Sequence, residues 1–456
     1  MRGRQISLAV LGLALSWVTA AAADSVRMGE PAAVAAKTGG GFQDKAAVAC
    51  GADTYLAVWQ EGAESADFDG RGTDIYCARI AADGTCLDPK GIAVCKAKDN
   101  QLRPRVAFGG GVFLVAWEDW RGGTDCDIYA SRVAPDGKVL DPEGFPLAAA
   151  RNRNQVYATV ASNGKDFLVA WMDYWTYPVY GIAATRVGAD GKVGQQDGTL
   201  IVKAADAQLQ AAADKARAAK TLSMPWCKGF LGAGDAATAE FPWLVWSKDR
   251  YLLYFRDAVS IMPMNGASVC PVSAAGEITV GAKLAGWRVD KGFDCAFVPG
   301  PDRGWLYCAG INLERGQEGC QYQWVVTAPD GTVPPVTDKG EGPTVTSTAR
   351  FPDGRRIVDL NTAGAFDGSR YWLVTECAQG IAGGRVSADG KHIDDLNFAT
   401  PKGKPLSALM IAEGPEPRTH PALASDGKGT VLAVWTENAG VGKCLIKCRT
   451  VKQAGQ

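Results

Sequence analysis

The chain has 456 residues, 47% of them apolar and 14 of them tryptophan, which is ample material for a large core. Its 48 Lys and Arg against 49 Asp and Glu leave a net charge of −1, so it lacks the basic field that nucleic-acid binding needs. Two histidines and no C-x-x-C stand against zinc chemistry.

Taken in chain order, Met1 to Gln5 carries two arginines, Ile6 to Thr19 is apolar, and Ala20 to Ala23 precede Asp24. This is the form of a secretory leader, residues 1–23, cleaved after Ala23. The apolar run is shorter than the ~20 residues that span a bilayer, so residues 24–456 are expected to be a soluble body, secreted or periplasmic. All 13 cysteines follow the leader, which fits an oxidising compartment with some disulfides. Cys77 and Cys86 flank the turn-like AADG, and Cys295 and Cys308 flank GPDRG; both pairs are candidates to bridge antiparallel strands if the registers hold.

A repeat follows the leader. Turn-forming glycines at Gly84, Gly137, Gly191, Gly276, Gly331 and Gly390 are spaced 53, 54, 85, 55 and 59 residues apart. Each unit has four short runs in the same order. The first is small and apolar, as in RVAFGG (105–110). The second is an apolar run ending in Trp, as in LAVW (56–59), FLVAW (113–117 and 167–171) and LAVW (432–435). The third has the form DIYASRV (127–133), and the fourth follows the DG turn. The runs are rich in β-branched and aromatic residues and bounded by Gly, Asp, Asn and Pro, the pattern of strands. Four-stranded units too small to bury both faces must stack, and radial stacking also shields their edges. The expected fold is therefore all-β: a seven-bladed β-propeller of four-stranded antiparallel blades.

The termini fit a ring. The last unit stops after its third run, CLIKCRTV (444–451), and SVRMGEPAAVA (25–35) reads as the missing fourth strand, closing the ring. The long interval holds the alanine-rich stretch 204–222, expected to be a short surface helix. Residues 225–273 diverge most from the repeat.

In a ring of this order the second-to-third-strand loops and the blade-to-blade loops share one face. Acidic residues follow the Trp position: Glu61, Glu118, Asp119, Asp173, Glu376 and Glu437. The blade-to-blade loops are expected to bring Arg103, Arg153, Arg418 and His420 beside them, a lining suited to a polar ligand such as an acidic glycan. The same recurrence fits carboxylates that cap turns or pair with a neighbouring blade's arginine. The repeated tryptophans read as inter-blade packing rather than stacking platforms. Blade three breaks the pattern at MDYWTYPVYG (172–181), where Asp173, Tyr174, Trp175 and Tyr177 lie together, with Trp120 and Arg121 in the neighbouring loop. Exposed aromatics beside a carboxylate suit a sugar ring; a plug over the channel is the competing use. Asp67, Asp69 and Asp74 lie within one loop and can supply Ca²⁺ with oxygens, but without the spacing or final Glu of an EF-hand. No other cofactor is implied.

The repeat FLVAW-E-D-x-R, DIY-x-x-R-V, DG resembles that of exported bacterial β-propeller proteins, and more distantly that of sialidase-type propellers. The resemblance implies the fold rather than an activity; the S-x-D-x-G-x-T-W box of sialidases is missing. Two functions remain: a binding or scaffold propeller that recognises a glycan or protein ligand through the mouth, or a carbohydrate-active hydrolase or lyase. The second would draw its catalytic groups from Asp119, Asp173, Glu437 and His420.

Overall fold

The computed structural model describes residues 26–35, 42–62, 72–149, 153–176, 179–202, 237–259, 264–275, 284–290, 292–301, 304–312, 319–327, 344–349, 361–377, 380–389, 393–394, 409–438 and 444–453. The leader at 1–23, the stretch 204–222, Asp67, Asp69 and Tyr177 lie outside them. Among the described residues every regular element is a strand, and none forms a helix long and apolar enough to cross a membrane.

Strands consecutive in the chain pair antiparallel in sheets of four. Sheet one is Phe42–Gly51, Thr54–Gly62, Asp74–Ala81 and Ile92–Cys95. Sheet two is Gln101–Gly109, Val112–Asp119, Asp127–Val133 and Phe145–Ala148. Sheet three is Asn154–Ser162, Phe167–Thr176, Val179–Val187 and Thr199–Val202. Sheet four begins with Ala237–Ser247 and Arg250–Val259, and sheet five with Gly292–Pro299 and Gly304–Asn312. Sheet six begins with Thr362–Phe366 and Arg370–Cys377. Sheet seven is Arg418–Ser425, Thr430–Asn438 and Cys444–Gln453. The last of these is paired by the chain's N-terminal residues: Val26 lies opposite Gln453, Met28 opposite Val451 and Ala32 opposite Cys448. First strands of successive sheets pack side by side from one to seven, and that of sheet seven packs on that of sheet one.

The second-strand runs are apolar at every position because both of their faces are covered. Side chains alternate along a strand, so Leu56 and Val58 pack with Phe113, Val115 and Trp117 of sheet two, while Tyr55, Ala57 and Trp59 pack with Leu432 and Val434 of sheet seven. Trp171 faces Leu114 and Ala116 of sheet two in the same way. Trp59, Trp117, Trp171, Trp372 and Trp435 are all buried, so the repeated tryptophans are inter-sheet packing. Each weighs on its neighbour's backbone. Gly144 has φ 73° and a β-carbon there would meet Trp117 at 2.4 Å; Gly198, with φ 68°, would meet Trp171 at 2.6 Å. Both positions therefore require glycine twice over.

The two cysteine pairings expected from spacing differ in outcome. The turn after AADG sets Ile80 opposite Cys86 and Cys77 opposite Ile92, so Cys77 and Cys86 are out of register and both thiols are free. Cys295 and Cys308 are direct cross-strand partners, the register the spacing called for. The segment 172–181 is also less of a loop than expected. Its strands run on to Thr176 and resume at Val179, with Asp173 opposite Gly181 and Tyr174 opposite Tyr180.

Candidate functional site

Five first strands carry the same irregularity. Pairing slips between Asp44 and Ala47, Leu102 and Arg105, Val156 and Thr159, Glu240 and Trp243, and Thr419 and Ala422. At each slip two residues stand opposite one, and that one is Trp59, Trp117, Trp171, Phe255 or Trp435. The first residue of each bulge is Lys45, Arg103, Tyr157, Phe241 or His420, with φ 55°, 50°, 55°, 50° and 52°. This is the left-handed region, which costs a side-chain-bearing residue about 1–2 kcal/mol. Such strain, repeated at one position around a fold, is a feature of sites where a side chain must be aimed.

The bulges lie at the end of each sheet where the second strand finishes, since Gln101 is opposite Asp119 and Arg418 opposite Glu437. This corrects the placement of Arg103, Arg418 and His420. They stand within first strands rather than in the loops before them, because the bulge turns interior-strand positions toward that end. Arg153 does precede its strand.

The row is knit together across sheets. His420 Nε2 contacts Lys45 Nζ in a short polar contact, and His420 Nδ1 stands 2.9 Å from Asp44 Oδ1. Burial by itself would raise the Asp44 carboxyl, but His420 and Lys45 outweigh it and hold the group well below the usual carboxylate range. Thr436 Oγ1 donates to Asp44 Oδ1 at 2.8 Å. Glu376 Oε1 accepts the His420 backbone N–H at 2.5 Å and Asn361 Nδ2 at 2.6 Å. Burial raises the Glu376 carboxyl, with His420 next in weight and opposing it. On the other side, the Arg103 guanidinium lies 5.1 Å over the Tyr157 ring, which meets Phe241 edge-on at 4.5 Å.

After Trp59 and Trp117 the next residue latches the following sheet's bulge. Gln60 Oε1 accepts the Arg103 N–H at 2.9 Å, and Glu118 Oε1 accepts the Tyr157 N–H at 2.8 Å while its Oε2 takes Arg103 Nη1 at 2.7 Å. The second residue after the Trp serves its own sheet. Trp59 Nε1 donates to Glu61 Oε2 at 3.1 Å and Trp117 Nε1 to Asp119 Oδ2 at 2.7 Å.

The structure does not gather the favoured carboxylates. Asp119, fully buried, receives both Arg121 Nε and Nη2 at 2.8 and 2.7 Å, and Arg121 also stacks 4.0 Å over Tyr129. Asp173 faces Arg153 at 3.4 Å, and Glu437 faces Arg418 at 2.9 Å and Lys447 at 3.7 Å. They belong to sheets two, three and seven, each with a guanidinium of its own. Trp120 holds its backbone N–H on Asn100 O at 2.8 Å and buries its indole nitrogen. Tyr174 and Trp175 continue the second strand of sheet three.

Asp74 opens the third strand of sheet one opposite Glu61, as Asp127 does in sheet two opposite Asp119. Burial, with Glu143 and Glu61 adding and Lys96 opposing, pushes Asp74 up to about 6. Burial, then Asp125, Asp119 and Asp197, push Asp127 up to about 7. Among the described residues no three acidic, His or Cys side chains are placed to hold a metal ion.

Lys45, Asp44, Tyr157 and Phe241 were not singled out by sequence reasoning. A signal was present: a buried glutamine two residues ahead of the bulge, at Gln43, Gln101 and Gln155, precedes Lys45, Arg103 and Tyr157.

No family model matches the chain, and no curated protein matches it in sequence. Among solved structures it is similar to a PL25 ulvan lyase, a polysaccharide lyase, with TM-score 0.53 and 10% identity, covering 92% of this chain and 95% of that one. It is also similar to the polysaccharide lyase Uly1, with TM-score 0.52 and 10% identity, over 90% of each chain. The sialidase of Trypanosoma rangeli aligns with TM-score 0.48 and 8% identity, over 93% of this chain and 60% of the sialidase. The fold is β-propeller-like. At such identities the likeness is one of architecture alone.

Proposed function

We propose that the chain is an exported seven-bladed β-propeller, its ring closed by residues 26–33 pairing with the last strand, that binds an anionic polysaccharide across its row of first-strand bulges and cleaves it by β-elimination. The observation that carries this is the row itself: a lysine, an arginine and a histidine, with two aromatic rings, each from a different sheet and each held in a strained left-handed bulge. The side-by-side first strands and the pairing of the N-terminal residues with Cys444–Gln453 support the ring. The residues at 1–23 support export.

The chemistry follows from the groups. Eliminating across a uronate requires a cation on the carboxylate, to stabilise the carbanion, and a base for the adjacent C–H. Lys45 and Arg103 are suited to the first task and His420, oriented by Asp44, to the second. A sugar carboxylate would draw Lys45 away from His420 and free the Nε2 lone pair to take the proton; the electron pair left on carbon then forms the double bond and expels the glycosidic oxygen, which takes a proton from water to leave as the alcohol. Hydrolysis by two carboxylates suits the site less well, since Asp119, Asp173 and Glu437 each face an arginine. That the two lyases named above are polysaccharide-active supports the substrate class.

The test is to offer the mature chain uronate-containing and neutral polysaccharides, reading binding by calorimetry and cleavage by the ultraviolet absorbance of the unsaturated product. Binding of the anionic polymer should weaken steeply with salt. Lys45→Met should weaken it about tenfold, and His420→Ala should remove the absorbance while retaining binding. Equal binding of neutral polymers would refute the substrate class. Binding without product would leave a lectin-like scaffold in place of an enzyme.

A further inference from the structure

Cys86, out of register with Cys77, points elsewhere. Its residue packs against the core shared by sheets one and seven, and that core contains Cys448. Three contacts place the turn that holds Cys86 over the strand that holds Cys448. Cys86 Sγ meets the carbonyl oxygen of Val34, whose own N–H is accepted by Ile446 O at 2.9 Å, two residues from Cys448. A β-carbon on Gly84 would stand 3.2 Å from Thr450 Cγ2, so the turn approaches the last strand directly at Gly84. Ala32, beside them, lies opposite Cys448. Both thiols are free here, Cys448 is buried, and its thiol is pushed up to about 12 by burial first and then by Cys86.

We infer that Cys86 and Cys448 are the two halves of a disulfide that staples the first sheet to the last when the chain meets an oxidising environment. The inference rests on the exported, ring-closed reading, and its weight falls at the one seam where sheets distant in sequence meet. The oxidant is an external disulfide such as oxidised glutathione. Cys86, the less buried thiol, attacks it, loses its proton and releases one thiol, leaving a mixed disulfide. Cys448 Sγ then displaces the second thiol and loses its own proton. Two protein S–H groups are oxidised and one external disulfide is reduced to two thiols. The staple closes a loop spanning most of the chain, where a cross-link restricts the unfolded state most.

Trypsin cuts after Arg79, Lys90, Lys447 and Arg449, so a staple joins the peptide 80–90 to the dipeptide 448–449. The purified protein, folded with oxidised glutathione, blocked with N-ethylmaleimide and digested without reductant, should yield that linked product, two hydrogens lighter than the sum and abolished by reduction. Cys86→Ser and Cys448→Ser should each lower the thermal midpoint by several degrees under oxidising conditions, with the double variant no lower than either single. Under reductant the wild type should fall to meet them. Both thiols recovered fully alkylated after that oxidation would overturn the inference, whatever the polysaccharide assays show.

Discussion

The outer rim of the sheets and the row of first-strand bulges repeat in different ways. At the rim both backbone and side chains recur. Arg79 grips Asp88 with Nε and Nη2, each at 2.9 Å, and Arg132 grips Asp141 with the same two atoms, each at 2.8 Å; in both, the carboxylate also accepts the arginine's own N–H. At the bulges the backbone recurs to within a few degrees while the side chain changes from Lys to Arg, Tyr, Phe and His. A feature kept whole from one sheet to the next, as this grip is in sheets one and two, serves the sheet. A strained backbone kept in place while its side chain varies aims different groups at a common space, and that contrast separates scaffold from site.

The contrast can be broken at the scaffold end first. Trp117→Ala empties a fully buried inter-sheet position and should cost about 3–5 kcal/mol, read by denaturant unfolding. A loss below about 1 kcal/mol would mean that the sheets do not depend on this layer. Glu118 joins the two regions, since it latches Tyr157 and pairs Arg103. Glu118→Ala should cost about 2–4 kcal/mol by removing the carboxylate that holds both the Arg103 guanidinium and the Tyr157 N–H, and should weaken glycan binding as well.

A smaller effect, opposite in sign, is expected at Asp127. Its folded-state pKa of about 7 lies above the ordinary 3.8, so the folded protein holds the proton more tightly than the unfolded chain. The stability this confers is complete below pH ~4 and is lost as pH rises through about 7. Asp127→Asn mimics the protonated form. It should match the wild type in unfolding free energy at pH 4 and exceed it at pH 8 by about 1–2 kcal/mol, read by denaturant unfolding; equal stability at both would show that Asp127 is an ordinary solvated carboxylate. The smallest stability effect belongs to the site. Lys45→Gly relieves a left-handed φ and should leave stability unchanged or raise it by up to about 1 kcal/mol, while salt-sensitive glycan binding falls. A marked loss of stability instead would assign Lys45 to the scaffold.

Much of the scaffold could be read from the chain because its signals are local. The run FLVAW is apolar at every position only if both faces are covered, and the order of four runs around a DG turn fixes antiparallel neighbours. The pairing of Val26–Met28 and Ala32–Ala33 with the last strand had a signal too, since one end lacked a strand that the other end supplied. The cysteines were harder. Spacing about a turn suggested Cys77 with Cys86, but the turn after AADG sets Cys86 opposite Ile80, three residues from Cys77, and Cys77 opposite Ile92.

Sequence reasoning drew attention to the acidic residues at the end of the second strands, whereas the proposed site takes the bulge residues beside them. Acidic residues after the Trp position were conspicuous in the sequence, yet Glu61 answers to an indole, Glu118, Asp119, Asp173 and Glu437 to arginines, and Glu376 to Asn361 and the His420 N–H. Lys45 and Tyr157 were marked only by the glutamine two residues ahead of each, because a bulge leaves no hydrophobic signature. It appears only when two residues are found opposite one across a strand pair, and that is a property of pairing. Apolar periodicity, being a record of burial along each strand, was enough to determine an all-β chain of stacked four-stranded units. Which side chains meet across neighbouring units, His420 with Lys45, Arg103 with Tyr157, and Cys86 with the core around Cys448, was decided by tertiary structure alone, because those contacts join residues that share no local pattern.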